Sequence, residues 1–261
     1  MPKIIVSGAS GRMGTRILEL AKNQPSFEIV GGLESAQHPA IGKKILDHSV
    51  LLESEIEKYQ GKAQVLIDFT APKATLTYLH SIQHWKGISA VIGTTGFSKI
   101  EIETLHQIAK NIPIVMSPNM SVGVNLLFDL VHLVAQKIPD YDIEIIEAHH
   151  NQKKDAPSGT ALGLAKEITE ALHRSLENDL QHGRKGEVGA RTKKEIGMHA
   201  IRAGDIVGDH TVIFATQGER IELTHRASSR DAFASGALRA AQWIVQQKPG
   251  FYSMKDVLSA R

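Results

Sequence analysis

Residues 4–21 constrain the fold of this chain more than any other stretch. Ile4-Ile5-Val6 is a short apolar, β-branched run of the kind found in a strand buried on both faces. It flows into Gly8-Ala9-Ser10-Gly11-Arg12-Met13-Gly14, after which Ile17, Leu18 and Ala21 fall at helical spacing. Strand, glycine loop and helix in that order make a dinucleotide-binding turn. Glycine lets the chain turn tightly and lets a pyrophosphate approach the N–H groups of a helix start. The spacing is G-x-x-G-x-x-G, not the stricter G-x-G-x-x-G, and a glycine motif alone is weak evidence. Its context strengthens it. A second predicted strand, Glu28 to Leu33, ends at Glu34, twenty residues beyond Gly14, where an acid takes the adenosine ribose hydroxyls. A glycine turn that binds nothing then becomes the weaker reading. Ser35 follows with no arginine beside it to meet a 2′-phosphate, so charge favours NADH over NADPH, although Arg12 in the loop can still serve a phosphate.

The β-α alternation continues. Val65 to Phe69 is a predicted strand ending at Asp68-Phe69-Thr70, with a helix after Pro72. Ala90-Val91-Ile92 ends in Gly93-Thr94-Thr95-Gly96, and Ile114-Val115-Met116 ends in Ser117-Pro118-Asn119-Met120. This repetition predicts an α/β fold with a parallel, doubly wound Rossmann-type sheet and right-handed crossovers. Small and polar residues gather at the strands' carboxyl ends, where ligands bind in such sheets.

After Val122 the pattern changes. A helix over Val124 to Lys137 leads into Glu144 to Ala161, E-I-I-E-A-H-H-N-Q-K-K-D-A-P-S-G-T-A. That stretch opens as a strand and closes as a helix start, with Asp155 leading in, Pro157 suited to the first turn, and a helix from about Ser158 to Ser175. His149 and His150 are neighbours on extended backbone, so their side chains leave opposite faces and hold different jobs. An imidazole exchanges protons near neutral pH, and a nearby lysine supplies charge or a proton. Taken alone, the stretch is read equally well as a solvated polar loop. Residues 175–195 are polar and basic and are read as a long loop, mobile and over the site, whose lysines and arginines are expected to be solvated rather than ligand-bound. Strand-like runs then follow with turn residues between them, Ile196 to Arg202, a Gly204-Asp205 turn, Ile206-Val207, Gly208-Asp209, Thr211 to Thr216, Gln217-Gly218 and Ile221 to Ala227, read as a mostly antiparallel meander with an open face. A last helix is expected over Ala232 to Gln247. The expected division is a dinucleotide-binding domain, 1–121, completed by 232–261, and a substrate-binding and oligomerisation domain, 122–231.

Composition narrows the function. A formal net charge of +2 is too small to point to nucleic acid. With no cysteine, thiolate catalysis, disulfides and Cys-ligated zinc are excluded. Thirteen histidines show no metal-binding helix motif, and His199, His210 and His225 are expected at a surface or interface. No G-x-S-x-G supports a hydrolase elbow. No signal peptide or membrane span is read, so a cytoplasmic enzyme or binding protein is expected.

Taken together, G-A-S-G-R-M-G at Gly8, D-F-T at Asp68, G-T-T-G-F at Gly93, N-M-S-V-G-V-N at Asn119, E-A-H-H-N-Q-K-K-D-A-P-S-G-T-A at Glu147, R-A-G-D-I-V-G-D-H at Arg202 and H-R-A-S-S-R at His225 resemble the 4-hydroxy-tetrahydrodipicolinate (dihydrodipicolinate) reductases of the bacterial lysine and diaminopimelate pathway. The resemblance covers essentially the full length. It implies NAD(P)H-dependent reduction of a cyclic imine dicarboxylate to tetrahydrodipicolinate, in a homotetramer built on the meander sheets. His149 then looks like the general acid/base and Lys153 like the proton donor, while His150, Gly159 and Thr160 contact substrate. Gly8, Ala9, Ser10, Gly11, Arg12, Met13, Glu34, Gly93, Thr94, Thr95, Ser117, Pro118, Asn119 and Met120 look like cofactor contacts, with no metal. Members that accept both cofactors often carry arginine where this chain has Ser35, which again favours NADH. Two other readings are a different two-domain dehydrogenase and a non-catalytic NAD sensor, the latter predicting cofactor binding without turnover.

Overall fold

The first strand, β1 (Lys3–Ser7), is buried from Ile4 onward because it lies inside a sheet rather than at its edge. The computed structural model describes residues 1–47 and 49–259. After β1 come α1 (Arg12–Lys22), β2 (Glu28–Leu33), β3 (Lys44–Ile45), β4 (Val50–Glu53), β5 (Val65–Asp68), α2 (Pro72–Ile82), β6 (Ser89–Ile92), α3 (Lys99–Ile108) and β7 (Pro113–Met116). The chain continues through α4 (Val122–Lys137), β8 (Asp142–His149), α5 (Gly159–Ala171), α6 (Leu176–Asp179), β9 (Leu180–His182), β10 (Ile196–Arg202), β11 (Gly208–Thr216) and β12 (Glu219–Ala227), and closes with α7 (Asp231–Ile244), β13 (Gly250–Tyr252) and α8 (Met254–Ser259). It divides into two compact units, one running from Met1 to Val122 and resuming at Arg230, the other spanning Gly123–Ser229.

In the first unit the strand order is β13-β7-β6-β5-β1-β2-β4-β3, parallel throughout except for the short β3–β4 pair. Alternation sends Ile4 and Val6 to one face and Ile5 to the other. The first face packs on Ile17 and Leu18 of α1 and on Ala237, Leu238 and Ala241 of α7. The second packs on Leu79 and Ile82 of α2 and Leu105 and Ile108 of α3. Arg16 of α1 ion-pairs with Asp231 at the start of α7, so the returning C-terminal segment is tied by charge as well as by apolar packing.

The second unit holds a five-stranded sheet in the order β12-β11-β8-β10-β9. In β8 Ile143, Ile145, Glu147 and His149 are buried in strict alternation, and this inner face packs on α4 and α5 through Leu127, Val131, Leu164 and Ile168. The sheet is mixed, which corrects the expected antiparallel meander. β11 pairs antiparallel with β8 and β12, but β10 runs parallel to β8 and to β9. The Gly204-Asp205 turn does not close a hairpin, because β10 and β11 lie on opposite sides of β8. The signal missed was that β8, α5 and β10 form a β-α-β unit of their own. α5 stops at Ala171, short of Ser175, and His173 follows with φ +52°.

Residues 175–195 also depart from a free loop. Arg184 bonds Glu144 Oε1 at 2.7 Å and pairs with Glu195, and Arg191 pairs with Asp142. Asp142 and Glu144 point to the face of β8 opposite His149, so this segment straps the outer face of the sheet. Among the described residues no helix is long and apolar enough to cross a membrane.

Candidate active site

The glycine loop at the end of β1 is closed on itself. Gly11 N donates to Gly8 O at 2.9 Å and Ala9 N to Leu33 O at 3.2 Å. Gly8 sits at φ +66°, which only glycine adopts at little cost, and a Cβ on Gly14 would stand 2.1 Å from Gly8 O. Gly11 caps α1 without a side-chain bond, and the first turn of α1 carries no acid. An uncapped helix start with exposed Ser10, Gly11 and Arg12 around it fits a pyrophosphate, and these residues therefore fit a dinucleotide. Met13 turns inward and packs on the core. Glu34, just past β2, accepts from Ser10 N at 2.9 Å and Ser10 Oγ at 2.5 Å.

The next strand ends converge on one buried carboxyl. Asp68 Oδ1 accepts from Thr70 N at 2.9 Å, Thr70 Oγ1 at 2.6 Å and Thr94 Oγ1 at 3.3 Å. Burial pushes the Asp68 carboxyl up, against these bonds. Gly93 lies against the Phe69 ring, and Thr94 is buried while Thr95 is exposed. Ser117 Oγ donates to Asn119 O at 2.7 Å and Asn119 Oδ1 accepts from Ser121 N at 2.9 Å, a turn that buries Met120 and exposes Pro118. The expected cofactor residues of this unit thus lie on its glycine loop and at the carboxyl ends of β2, β6 and β7.

In the second unit the centre is Glu147, fully buried on β8. Its Oε2 lies 2.5 Å from His149 Nδ1 and accepts from Arg202 Nη1 at 2.8 Å. Its Oε1 accepts from Arg202 Nη2 at 2.7 Å and from Ser158 N at 3.0 Å. Burial drives the Glu147 carboxyl up, but the bonds from Arg202 and His149 outweigh it and hold the group below the usual carboxylate range. Burial lowers the His149 pKa, opposed by the bond to Glu147. Ser158 is the cap of α5: its Oγ accepts from Ala161 N at 3.1 Å and stands 3.0 Å from His210 Nε2. Pro157 therefore precedes the cap and lies outside the first turn, since Ser158 reaches the third helical N–H. Gly159 follows with nothing within 4 Å of where a Cβ would stand.

His150 lies just past β8, bonded to Gln152 N at 3.2 Å, away from the buried pocket of His149. Lys153 Nζ donates to Asp155 Oδ1 at 2.9 Å, and the Asp155 carbonyl accepts from Arg202 Nη2 at 2.7 Å. His210 is a correction to the expected surface placement: it is 4% exposed, edge-on to the His149 ring at 5.2 Å, and burial pushes its pKa down to about 4. It faces inward because β11 carries it in register with Glu147. His199 stays on the outer face, 2.7 Å from Glu144. Among the described residues no three His, Asp or Glu side chains gather as metal ligands.

Residues 2–120 match the family model described as dihydrodipicolinate reductase, N-terminus, and residues 123–258 match its C-terminus. The chain belongs to the dihydrodipicolinate reductase family. It is 48% identical to the 4-hydroxy-tetrahydrodipicolinate reductase of Syntrophus aciditrophicus and 45% identical to that of Syntrophotalea carbinolica, each covering 100% of both chains. Among solved structures it resembles the dipicolinate-bound dihydrodipicolinate reductase of Paenisporosarcina sp. TG-14, with a TM-score of 0.79, 25% identity and 97% of each chain covered. Four side chains of this family member went unassigned from sequence: Glu147, Ser158, Arg202 and His210. For Glu147 the signal was present, since it stands two residues before His149 and shares its face. Arg202 and His210 come close only through sheet register, which no local pattern displays.

Proposed function

We propose that this chain reduces the cyclic imine dicarboxylate derived from 4-hydroxy-tetrahydrodipicolinate to tetrahydrodipicolinate, with NADH favoured over NADPH. The observation that carries the reading is the buried Glu147 carboxylate holding His149 at 2.5 Å beside the start of α5 and the loop that bears Lys153. Family membership and a dinucleotide-binding first unit support an NAD(P)H-dependent oxidoreductase. The solved relative's dipicolinate, a planar ring with two carboxylates, resembles this substrate in shape and charge.

In this reading residues 1–121 with 232–261 bind the nucleotide through Gly8 to Met13, Glu34, Gly93 to Thr95 and Ser117 to Met120. Residues 122–231 bind the substrate and carry a homotetramer contact on the open sheet face, where Ile201 is 48% exposed. Bound nicotinamide supplies the hydride. Hydride arriving at the conjugated carbon leaves enamine electron density, which Lys153 quenches with a proton. His149, its Nδ1 engaged by Glu147, works through Nε2 as general acid/base. Gly159 and Thr160 hold one carboxylate with the positive end of α5, worth about 0.3–1 kcal/mol, and His150 contacts the ring substituents.

The test supplies substrate from pyruvate and aspartate semialdehyde through the condensing enzyme and follows loss of reduced-nicotinamide absorbance. Oxidation should require both precursors. H149Q and K153A should each lower kcat by about 10²–10⁴-fold while leaving the NADH Kd unchanged. Parent-like turnover in both variants overturns the role assignment, and NADH binding without any turnover by the parent overturns the reaction.

A further inference from the structure

Glu34 is not a lone carboxylate at the end of β2. Ser10 donates to its Oε1 twice, from the backbone N–H and from Oγ. His38, on the turn after β2, places Nε2 3.2 Å from the same Ser10 Oγ. The other ring nitrogen settles the direction of these bonds. Ala40 N donates to His38 Nδ1 at 3.2 Å, so Nδ1 carries the lone pair and the proton of the neutral ring sits on Nε2. The Ser10 hydroxyl has a single proton, which it gives to Glu34, and so it receives from His38. A directed relay results, His38 Nε2–H to Ser10 Oγ–H to Glu34 Oε1. Glu34 Oε2 accepts no hydrogen bond among the described residues.

We propose that this relay sets nucleotide choice: it fixes Glu34 with one oxygen engaged and the other ready to accept from a ribose diol, without adding a cation that would receive a 2′-phosphate. The inference rests on the reading of Glu34 as the ribose ligand. Two consequences follow from the fixed geometry. A ribose 2′-hydroxyl meets a carboxylate already ordered, so binding loses little side-chain entropy. A 2′-phosphate meets the same carboxylate unable to swing aside, and like charges at contact repel. Removing the Ser10 hydroxyl leaves Glu34 on the Ser10 backbone N–H alone, and removing His38 leaves that hydroxyl without its own donor, so in either variant Glu34 is held less firmly. Affinity for the diol then falls, affinity for the phosphate rises, and the two move in opposite directions. A side chain that merely ordered the loop would move both together.

Calorimetry with ADP-ribose and 2′-phospho-ADP-ribose reads this without any turnover. The parent should prefer ADP-ribose. H38A and S10A should each shrink that preference about three- to tenfold, the range one hydrogen bond is worth. H38Q, whose amide nitrogen stands near the place of Nε2, should restore much of it. A preference unchanged in H38A, or equal weakening of both ligands, overturns the relay. A parent that binds neither probe overturns the nucleotide reading beneath it. Because the side chains of His38 and Ser10 lie outside the apolar core, the variants should fold, and thermal unfolding without ligand checks that they do.

Discussion

Replacing Glu147 by glutamine exchanges one carboxylate oxygen for an NH₂ and tests the acid/base assignment through a single atom. With Glu147 ionised, His149 Nδ1–H donates to Oε2, which leaves Nε2 to take or give the working proton. A glutamine that keeps its oxygen on Ser158 N–H and Arg202 Nη2 turns its NH₂ toward His149 Nδ1. Donor then faces donor unless the ring proton moves to Nε2, so the neutral ring no longer offers a base there. The same tautomer exchange in the serine-protease triad lowers kcat about 10⁴-fold. Here the ring also loses the partner that opposes burial, and burial is the larger influence lowering the His149 pKa, so imidazolium becomes scarcer at neutral pH. We expect kcat to fall by about 10²–10⁴-fold with the NADH Kd nearly unchanged. Stability should fall toward the lower end of about 3–5 kcal/mol, because Arg202 loses its counter-charge while keeping 20% of its side chain in water. The assay pairs the coupled reductase measurement with urea unfolding and with ¹⁵N-NMR of the His149 ring. A folded E147Q with kcat within about threefold of the parent would refute the reasoning, as would an unchanged His149 tautomer.

Other substitutions probe other parts of the chain. G14A places a Cβ 2.1 Å from Gly8 O, so the glycine loop must open; NADH affinity should drop at least tenfold, roughly 1.4 kcal/mol, and calorimetry finding parent affinity would contradict the tight-turn argument. S35R adds a cation beside Glu34 and should raise kcat/KM with NADPH relative to NADH, whereas an unchanged ratio counts against the charge reading. His210 is held neutral by burial, its pKa down from 6.5 to about 4, so the unfolded chain takes up a proton that the folded chain refuses. Its contribution is full above about pH 6.5 and is lost as pH falls toward about 4, by about 3 kcal/mol. Urea unfolding of parent and H210N should show a shallower acid-side loss in the variant, and equal slopes would refute the assignment.

What the sequence displays, and what it hides, follows the range of the interaction. The glycine loop, the acid after β2 and the polar strand ends all read locally, because each depends on neighbours within one β-α step. His149 stands out within a single stretch as a titratable group at a strand end, whereas Lys153 is singled out from Lys154 only by the family resemblance. β3 and β13 were missed because two- and three-residue strands carry too little period to register, and β4 because Val50 to Leu52 runs into an acidic stretch rather than into the small polar strand end and helix that marked β5 and β6. The helix before β13 stood out by its apolar spacing. The parallel placement of β10 was hidden because a glycine turn before another strand-like run reads as a hairpin, and only pairing across β8 excludes it. Arg184 and Arg191 looked like solvated charges because their partners, Glu144 and Asp142, lie some forty or more residues away in sequence.

That parallel placement is what makes the second site possible. In a β-α-β unit the helix start lies near the carboxyl end of its first strand, and the second strand's carboxyl end arrives at the same edge. Here the edge receives His149 from β8, the Ser158 cap from α5 and Arg202 from β10, with Arg202 paired in register to His149. Were β10 antiparallel to β8, Ile196 rather than Arg202 would stand opposite His149, and Glu147 would be a buried carboxylate without its fork. Such a group would protonate rather than remain an anion, and a protonated carboxyl holds an imidazole tautomer only weakly. The Arg202 fork extends the effect, since Nη2 also grips the Asp155 carbonyl while the Asp155 side chain grips Lys153. One guanidinium therefore braces the partner of His149 and the loop that presents Lys153. His149 and Lys153, the residues proposed as acid/base and proton donor, are positioned by the same strand crossover, so a change in the register of β10 would displace both at once.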